Sequence, residues 1–190
     1  TDDFDTDTVD VDPDKAKEYI PEMRDRMNLG DRGAASYVHE ESSDVAKIKV
    51  TEALKKEYSL IYDTSGDNKF ENLSKKIEDF RKDGAKRVVG HYATPLSFDE
   101  AYRRTVDRAE RIEREGGSRR DLLRSQVEEN HRAVSQVWQK AAAAGTFDEL
   151  GLWSTAGEFG KGPTLIAAAQ NGKVSVFDRE AYDKFVEMGK

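Results

Sequence analysis

Two short acidic segments carry the residue types best suited to chemistry. Asp12-Pro13-Asp14 and Asp63-Thr64-Ser65-Gly66-Asp67 each set carboxylates directly behind a short apolar run, and in α/β proteins the working groups stand on loops that follow the strands. A carboxylate placed there can take a proton from a hydroxyl or hold hydroxyls by hydrogen bonds. Each segment also has a plainer reading. Asp12 is a good helix N-cap and Asp14 complements the helix dipole in the first turn, while Asp63 equally suits a solvated turn. Two acidic strand ends on one sheet edge favour a site.

Further candidates lie on helical patterns. Glu41 falls in line with Val38, Val45, Ile48 and Glu52, a spacing that turns an ionisable group toward the core or a cleft; the alternative is a rim position with its stem along the apolar edge. Between Ser97 and Glu115, Ala101, Thr105, Ala109 and Ile112 share an apolar face, beside a stripe of Glu100, Arg104, Arg108 and Arg111. Arg108 is nearest the border, where a guanidinium can reach into a cleft and grip phosphate through two N–H groups. Most of these arginines read as a solvated face, with Glu100/Arg104 and Glu110/Arg114 paired at i, i+4. Past the Gly116-Gly117 break, Arg119 and Arg120 stand on a loop that can carry a second arginine to the same anion.

Composition removes several other classes. With 31 basic and 38 acidic side chains the net charge is −7, the wrong sign for a generic nucleic-acid binder. Seven aspartates and no basic residue lie in Thr1 to Asp14, so the rest of the chain is charge-balanced; residues 1–7 read as an acidic leader and 8–190 as a single domain. There is no cysteine, which excludes disulfides, thiolate metal sites and a Cys nucleophile. No apolar run approaches the roughly 18 residues of a membrane span and no signal-peptide pattern opens the chain, so the expectation is a cytoplasmic protein with neither membrane nor nucleic acid as partner. The first residue is Thr rather than Met, and a segment upstream is expected to have been removed. His39-Glu40-Glu41-Ser42-Ser43 has Ser where a zinc-protease helix needs its second His. Gly160-Lys161 is followed by Gly162 rather than Ser or Thr, and Thr155 stands where a phosphate loop needs its leading Gly.

The elements that position these residues follow from local signals. Val9 and Val11 alternate with aspartates in a strand over Thr8 to Val11, and Asp12 with Pro13 opens a helix toward Met27. A helix spans Ser36 to Glu57, a buried strand Tyr58 to Tyr62, a helix Phe70 to Asp83 and a second buried strand Arg87 to Tyr92. This strand-helix alternation predicts a mainly parallel sheet with crossover helices, its strands near 8–11, 60–62 and 88–92 being neighbours. Helices follow at Ser97 to Glu115 and Asp121 to Ala144. Asn171-Gly172 between the apolar runs 164–169 and 174–177 predicts a hairpin at a sheet edge or outside the sheet, and Asp178 caps a closing helix to Met188.

In order and spacing these residues are similar to the zeta-toxin group of P-loop small-molecule kinases. The resemblance rests on Val-Asp-Pro-Asp-x-x-Lys at 11–17 with Pro21, Val-His-Glu-Glu-Ser-Ser at 38–43 and Tyr-Asp-Thr-Ser-Gly-Asp at 62–67. Val-Val-Gly-His-Tyr at 88–92, Arg-x-x-x-Arg at 104–108, His131 to Ser135 and Leu152-Trp153 complete it. It implies a P-loop-kinase-like α/β fold, helices on both faces, with a C-terminal β-hairpin and helix. It also implies transfer of phosphate from ATP, with magnesium, to a hydroxyl of a sugar nucleotide such as UDP-N-acetylglucosamine.

Carried over by position, Asp14 resembles the catalytic base. Asp63 and Ser65 resemble the sugar-binding pair, although Thr64 stands where the family more often has Gly. Arg108 and Arg120, with Arg119 as substitute, resemble the phosphate-binding arginines, and Glu41 a further substrate contact. The family's strand, Gly-rich phosphate loop and first helix precede the position of Thr8 and have no counterpart in this sequence. The expectation is therefore a kinase domain that is inactive as this chain alone, completed by an N-terminal segment or held by an antitoxin; the alternative is a non-catalytic scaffold derived from a toxin domain.

Overall fold

A computed structural model of the chain describes residues 8–31, 34–64, 67–115, 122–156 and 162–190. The acidic leader lies outside them. The chain opens with strand β1 (Thr8–Val11), then helices α1 (Pro13–Lys17), α2 (Pro21–Asn28), α3 (Ala34–Tyr37) and α4 (His39–Lys55). Where one helix toward Met27 was expected there are two, because Pro21 lacks an N–H and disfavours helical backbone in the residue before it; Ile20 is extended, with φ −82° and ψ 120°.

Strand β2 (Ser59–Tyr62), helix α5 (Phe70–Lys82), strand β3 (Val89–Thr94) and helix α6 (Phe98–Arg114) follow. Helix α7 (Arg124–Ala144), strands β4 (Glu149–Ser154), β5 (Thr164–Gln170) and β6 (Lys173–Val176), and helix α8 (Arg179–Met188) complete the fold. Local chemistry marks the boundaries. Ser97 caps α6 by accepting from Glu100 N at 3.1 Å, Asp178 caps α8 through Ala181 N at 3.0 Å, and α7 stops at Gly145 in the left-handed region. Asn171 and Gly172 both have positive φ, 52° and 74°, as a two-residue type I′ hairpin turn demands.

The α/β class is as expected, but the sheet is not continuous. β1 pairs with β2 in parallel, and a separate sheet has the order β3-β4-β5-β6; β3 and β4 are parallel, whereas β5 and β6 form an antiparallel hairpin at its edge. The three strands expected side by side are thus divided, β1 and β2 on one side and β3 on the other. Each sheet has its own apolar cluster. Trp138 and Phe185 pack with Leu150, Leu152 and Ile166 in the larger one, and Val11, Ala46 and Val50 form the smaller. Phe80 of α5 lies against both clusters.

Helix α4 buries a different stripe from the one expected. Ser42, Ala46, Val50 and Ala53 face inward, while Val45 is 45% and Ile48 65% exposed. Ala46 and Val50 pack with Val11 of β1, α4 also lies against α1, and Lys49 reaches over to donate to the carbonyl of Asp10.

Candidate active site

The register of the first strand pair brings the two acidic segments together. Val11 stands opposite Tyr62, and the ladder runs one step further as Asp63 N donates to Val11 O at 3.0 Å. Both loops therefore leave the sheet at the same end. Asp12 is engaged as a cap, accepting from Asp14 N at 2.8 Å and Lys15 N at 3.2 Å. Asp14, one position into α1, is open to solvent, and Lys17 Nζ donates to its Oδ1 at 2.6 Å. The lysine is the buried partner, 5% exposed.

Asp63 is exposed and close enough to act on Lys15. The Lys15 ammonium is held above its ordinary pKa first by its hydrogen bond to Asp10 and the charge of Asp10, then by the charges of Asp12 and Asp63. This end of the strand pair is thus an acidic rim with two lysines folded into it. Its accessible carboxylates, Asp14 and Asp63, can accept hydrogen bonds from neutral hydroxyls, whereas a phosphate brought to the same place meets like charge.

The other expected residues are arranged differently. Glu41 is exposed on the outward side of α4 with Val45 and Ile48, so its helical spacing does not turn it to the core. Arg108 is likewise exposed and forms no ion pair among the described residues. The arginine at the border of α6 is Arg104, one turn earlier: its guanidinium donates to Thr155 Oγ1 at 2.8 Å and Thr155 O at 2.6 Å behind β4, and to Glu100 Oε1 at 2.6 Å. The apolar face itself is as read, with Ala101 and Ala109 buried. Ser65, Arg119 and Arg120 lie outside the described residues.

A further polar group went unread in the sequence. Asp67, at the end of the second acidic segment, pairs with Lys76 of α5 at 3.0 Å, and the Lys76 ammonium lies 5.4 Å from the centre of the Tyr62 ring. Tyr92 of β3 is close by; burial, with a lesser contribution from the charge of Asp67, pushes its phenol up to about 12. The signal that could have found Lys76 is its place between Leu73 and Ile77 on the apolar face of an amphipathic helix.

The described residues do not fit ATP with magnesium. Among them no three His or carboxylate groups are arranged to hold a metal ion, the strand ends of β1 and β2 are acidic, and Arg103 and Arg104 are taken up by Glu100, Asp107 and Thr155. What they do form is an α/β domain with accessible carboxylates at the carboxyl ends of a parallel strand pair. A family model described as zeta toxin matches residues 2–180, and the chain belongs to the zeta-toxin family. Membership implies a kinase-like function and the use of a nucleotide such as ATP in general. No curated protein and no solved structure matches the chain. No helix among the described residues is long and apolar enough to cross a membrane.

Proposed function

We propose that this chain forms the acceptor side of a zeta-toxin-like kinase, binding a sugar nucleotide such as UDP-N-acetylglucosamine, with Asp14 taking the proton from the hydroxyl that is phosphorylated. The observation that carries this is the shared exit of β1 and β2, which sets Asp14 and Asp63 at one end of one strand pair. Asp14 is accessible and stands beside the Lys17 ammonium, and a carboxylate is a group suited to act as a general base. Asp63, with Ser65 after it, holds neighbouring hydroxyls of the same sugar ring. Phosphate donation belongs to residues other than the described ones.

The test is acceptor binding rather than turnover. Titration of the 190-residue chain with UDP-N-acetylglucosamine by calorimetry should give saturable binding. Asp63→Ala should weaken it about ten-fold, the scale of one hydrogen bond to a charged group, and Asp14→Asn should weaken it much less, since a base acts on the transition state more than on the bound ground state. No binding, or equal loss in both variants, refutes the reading.

A further inference from the structure

The outer edges of the two sheets are treated differently. At the outer edge of β1 the Asp10 carbonyl is taken by the Lys49 ammonium, and the Asp10 carboxylate pairs with Lys15 at 2.9 Å beside it. Charge and an occupied acceptor blunt that edge. β6 is the last strand of the larger sheet, its ladder with β5 runs without a register shift from Ala167/Val176 to Gln170/Lys173, and it contains no proline. Val174 and Phe177 are exposed along it.

The register decides which groups of β6 look outward. Gln170 and Lys173 close the two-residue turn and so form a hydrogen-bonded pair, and Phe177 N donates to Ile166 O at 2.9 Å in the same alternation. Lys173, Ser175 and Phe177 therefore direct their backbone groups to β5. Val174 and Val176, between them, direct theirs to the open edge, where no strand bonds them among the described residues. Side chains alternate as well: Val176 packs against the core, while Lys173, Ser175 and Phe177 share the other face and are exposed.

We propose that the β6 edge pairs with the β6 edge of a second copy, antiparallel and centred on Ser175, so that one sheet runs through both molecules. An antiparallel ladder must oppose outward-facing residues, and within β6 only Val174 and Val176 qualify. Setting Val174 against Val176 of the second copy engages both residues of both copies, and each such pair exchanges two N–H···O bonds. Centring on either valine instead engages only one residue of each copy. The side chains suit the fuller register. Lys173, which has no ion pair among the described residues, comes opposite Phe177 of the second copy, where an ammonium can lie over the ring. Ser175 meets its own counterpart, a favourable hydroxyl pair, and the exposed Val174 gains an apolar neighbour in Val176. This self-complementarity is what selects a second copy over a foreign strand; Asp14 and Asp63 take no part in it.

The chain has no cysteine, so a single one introduced on β6 reports the pairing directly. The two Ser175 Cα atoms would stand about 4.5 Å apart, as in any non-hydrogen-bonded pair, within disulfide reach. The two Lys173 Cα atoms would be about 14 Å apart, four residues along the ladder, and beyond it. With oxidised glutathione as oxidant, Ser175→Cys should therefore give mostly disulfide-linked dimer and Lys173→Cys little. Sedimentation of the unmodified chain from micromolar to near-millimolar concentration should show a reversible monomer–dimer equilibrium. Val174→Pro removes an outward N–H from each copy and none that bonds β5, and should raise the dissociation constant about ten-fold or more. Hydrogen exchange at Val174 and Val176 should slow as concentration rises, with 59–62 and 89–94 unaffected. Should Val174→Pro disrupt the hairpin itself, the two cysteine variants decide alone. A monomer at every concentration, equal cross-linking of both cysteine variants, a dimer indifferent to Val174→Pro, or concentration-dependent protection at 59–62 or 89–94 in place of β6 overturns the proposal.

Discussion

The Asp14–Lys17 pair is asymmetric, and the asymmetry has a measurable consequence. The side chain of Asp14 is 71% exposed and that of Lys17 only 6%, so the two residues risk different things when the pair is broken. Replacing Lys17 with Met keeps an apolar stem of similar length in the buried position and takes one partner from a largely exposed carboxylate, where a surface ion pair is worth about 0–1 kcal/mol. Replacing Asp14 with Ala leaves an ammonium buried without the carboxylate it pairs with among the described residues. A full buried-pair loss is about 3–5 kcal/mol, and since one partner is solvated here we expect a loss just below that range, about 2–3 kcal/mol.

For a chain of this size about 1 kcal/mol corresponds to roughly 2–4 °C in melting temperature. Asp14→Ala should therefore lower the melting temperature by about 4–12 °C, Lys17→Met by no more than about 4 °C, and the double variant should resemble Lys17→Met. Asp14→Asn, whose amide oxygen still accepts from the ammonium, should fall between. Thermal melts followed by circular dichroism, backed by urea unfolding, give the numbers. The reasoning fails if Lys17→Met is the more damaging single change, or if the double variant is as unstable as the sum of the two. The same series shows whether a loss of function in Asp14→Asn is chemical or merely structural.

Two further predictions concern β3. The Tyr92 phenol, pushed by burial from 10.0 to about 12, keeps its proton in the folded state after the unfolded state has lost it, so stability should fall as pH rises from 10 toward 12, by roughly 2–3 kcal/mol once both states are ionised; urea unfolding of wild type and Tyr92→Phe across that range should show the extra alkaline loss in wild type alone. A Cβ on Gly90 would meet Leu150 Cδ1 at 2.7 Å and Phe147 Cε1 at 2.9 Å, so Gly90→Ala should destabilise by about 1–3 kcal/mol through overpacking, despite the entropic advantage of alanine in a strand, and Phe147→Leu should recover part of the loss; a neutral Gly90→Ala refutes the packing argument.

The sequence by itself determined what depends on neighbours along the chain. Asp12 with Pro13, Ser97, Asp178 and the Asn171-Gly172 turn each act over two to four residues, and the elements they delimit lie within a few residues of where they were read. The buried face of α6 was legible for the same reason, because Ala101, Thr105, Ala109 and Ile112 leave a single apolar stripe. Even the placing of Asp14 and Asp63 after the same end of one strand pair was foreseeable in outline, since both follow strands whose helical connections make them parallel.

Tertiary structure decided the questions on which local patterns were neutral. Helix α4 carries two candidate stripes, and the one with the larger residues, Val45 and Ile48, is outside, while Ala46 and Val50 pack with Val11 of β1; which stripe meets the strand pair is not a property of hydropathy along the helix. On α6, Arg104 and Arg108 share one stripe, and only the position of Thr155 behind β4 selects Arg104. The division into two sheets is the least local outcome of all. Apolar runs specify that β2 and β3 are strands, but the backbone edge they present is the same for every sequence, so which strands become neighbours is decided only in the tertiary structure, where β2 pairs with β1 and β3 with β4.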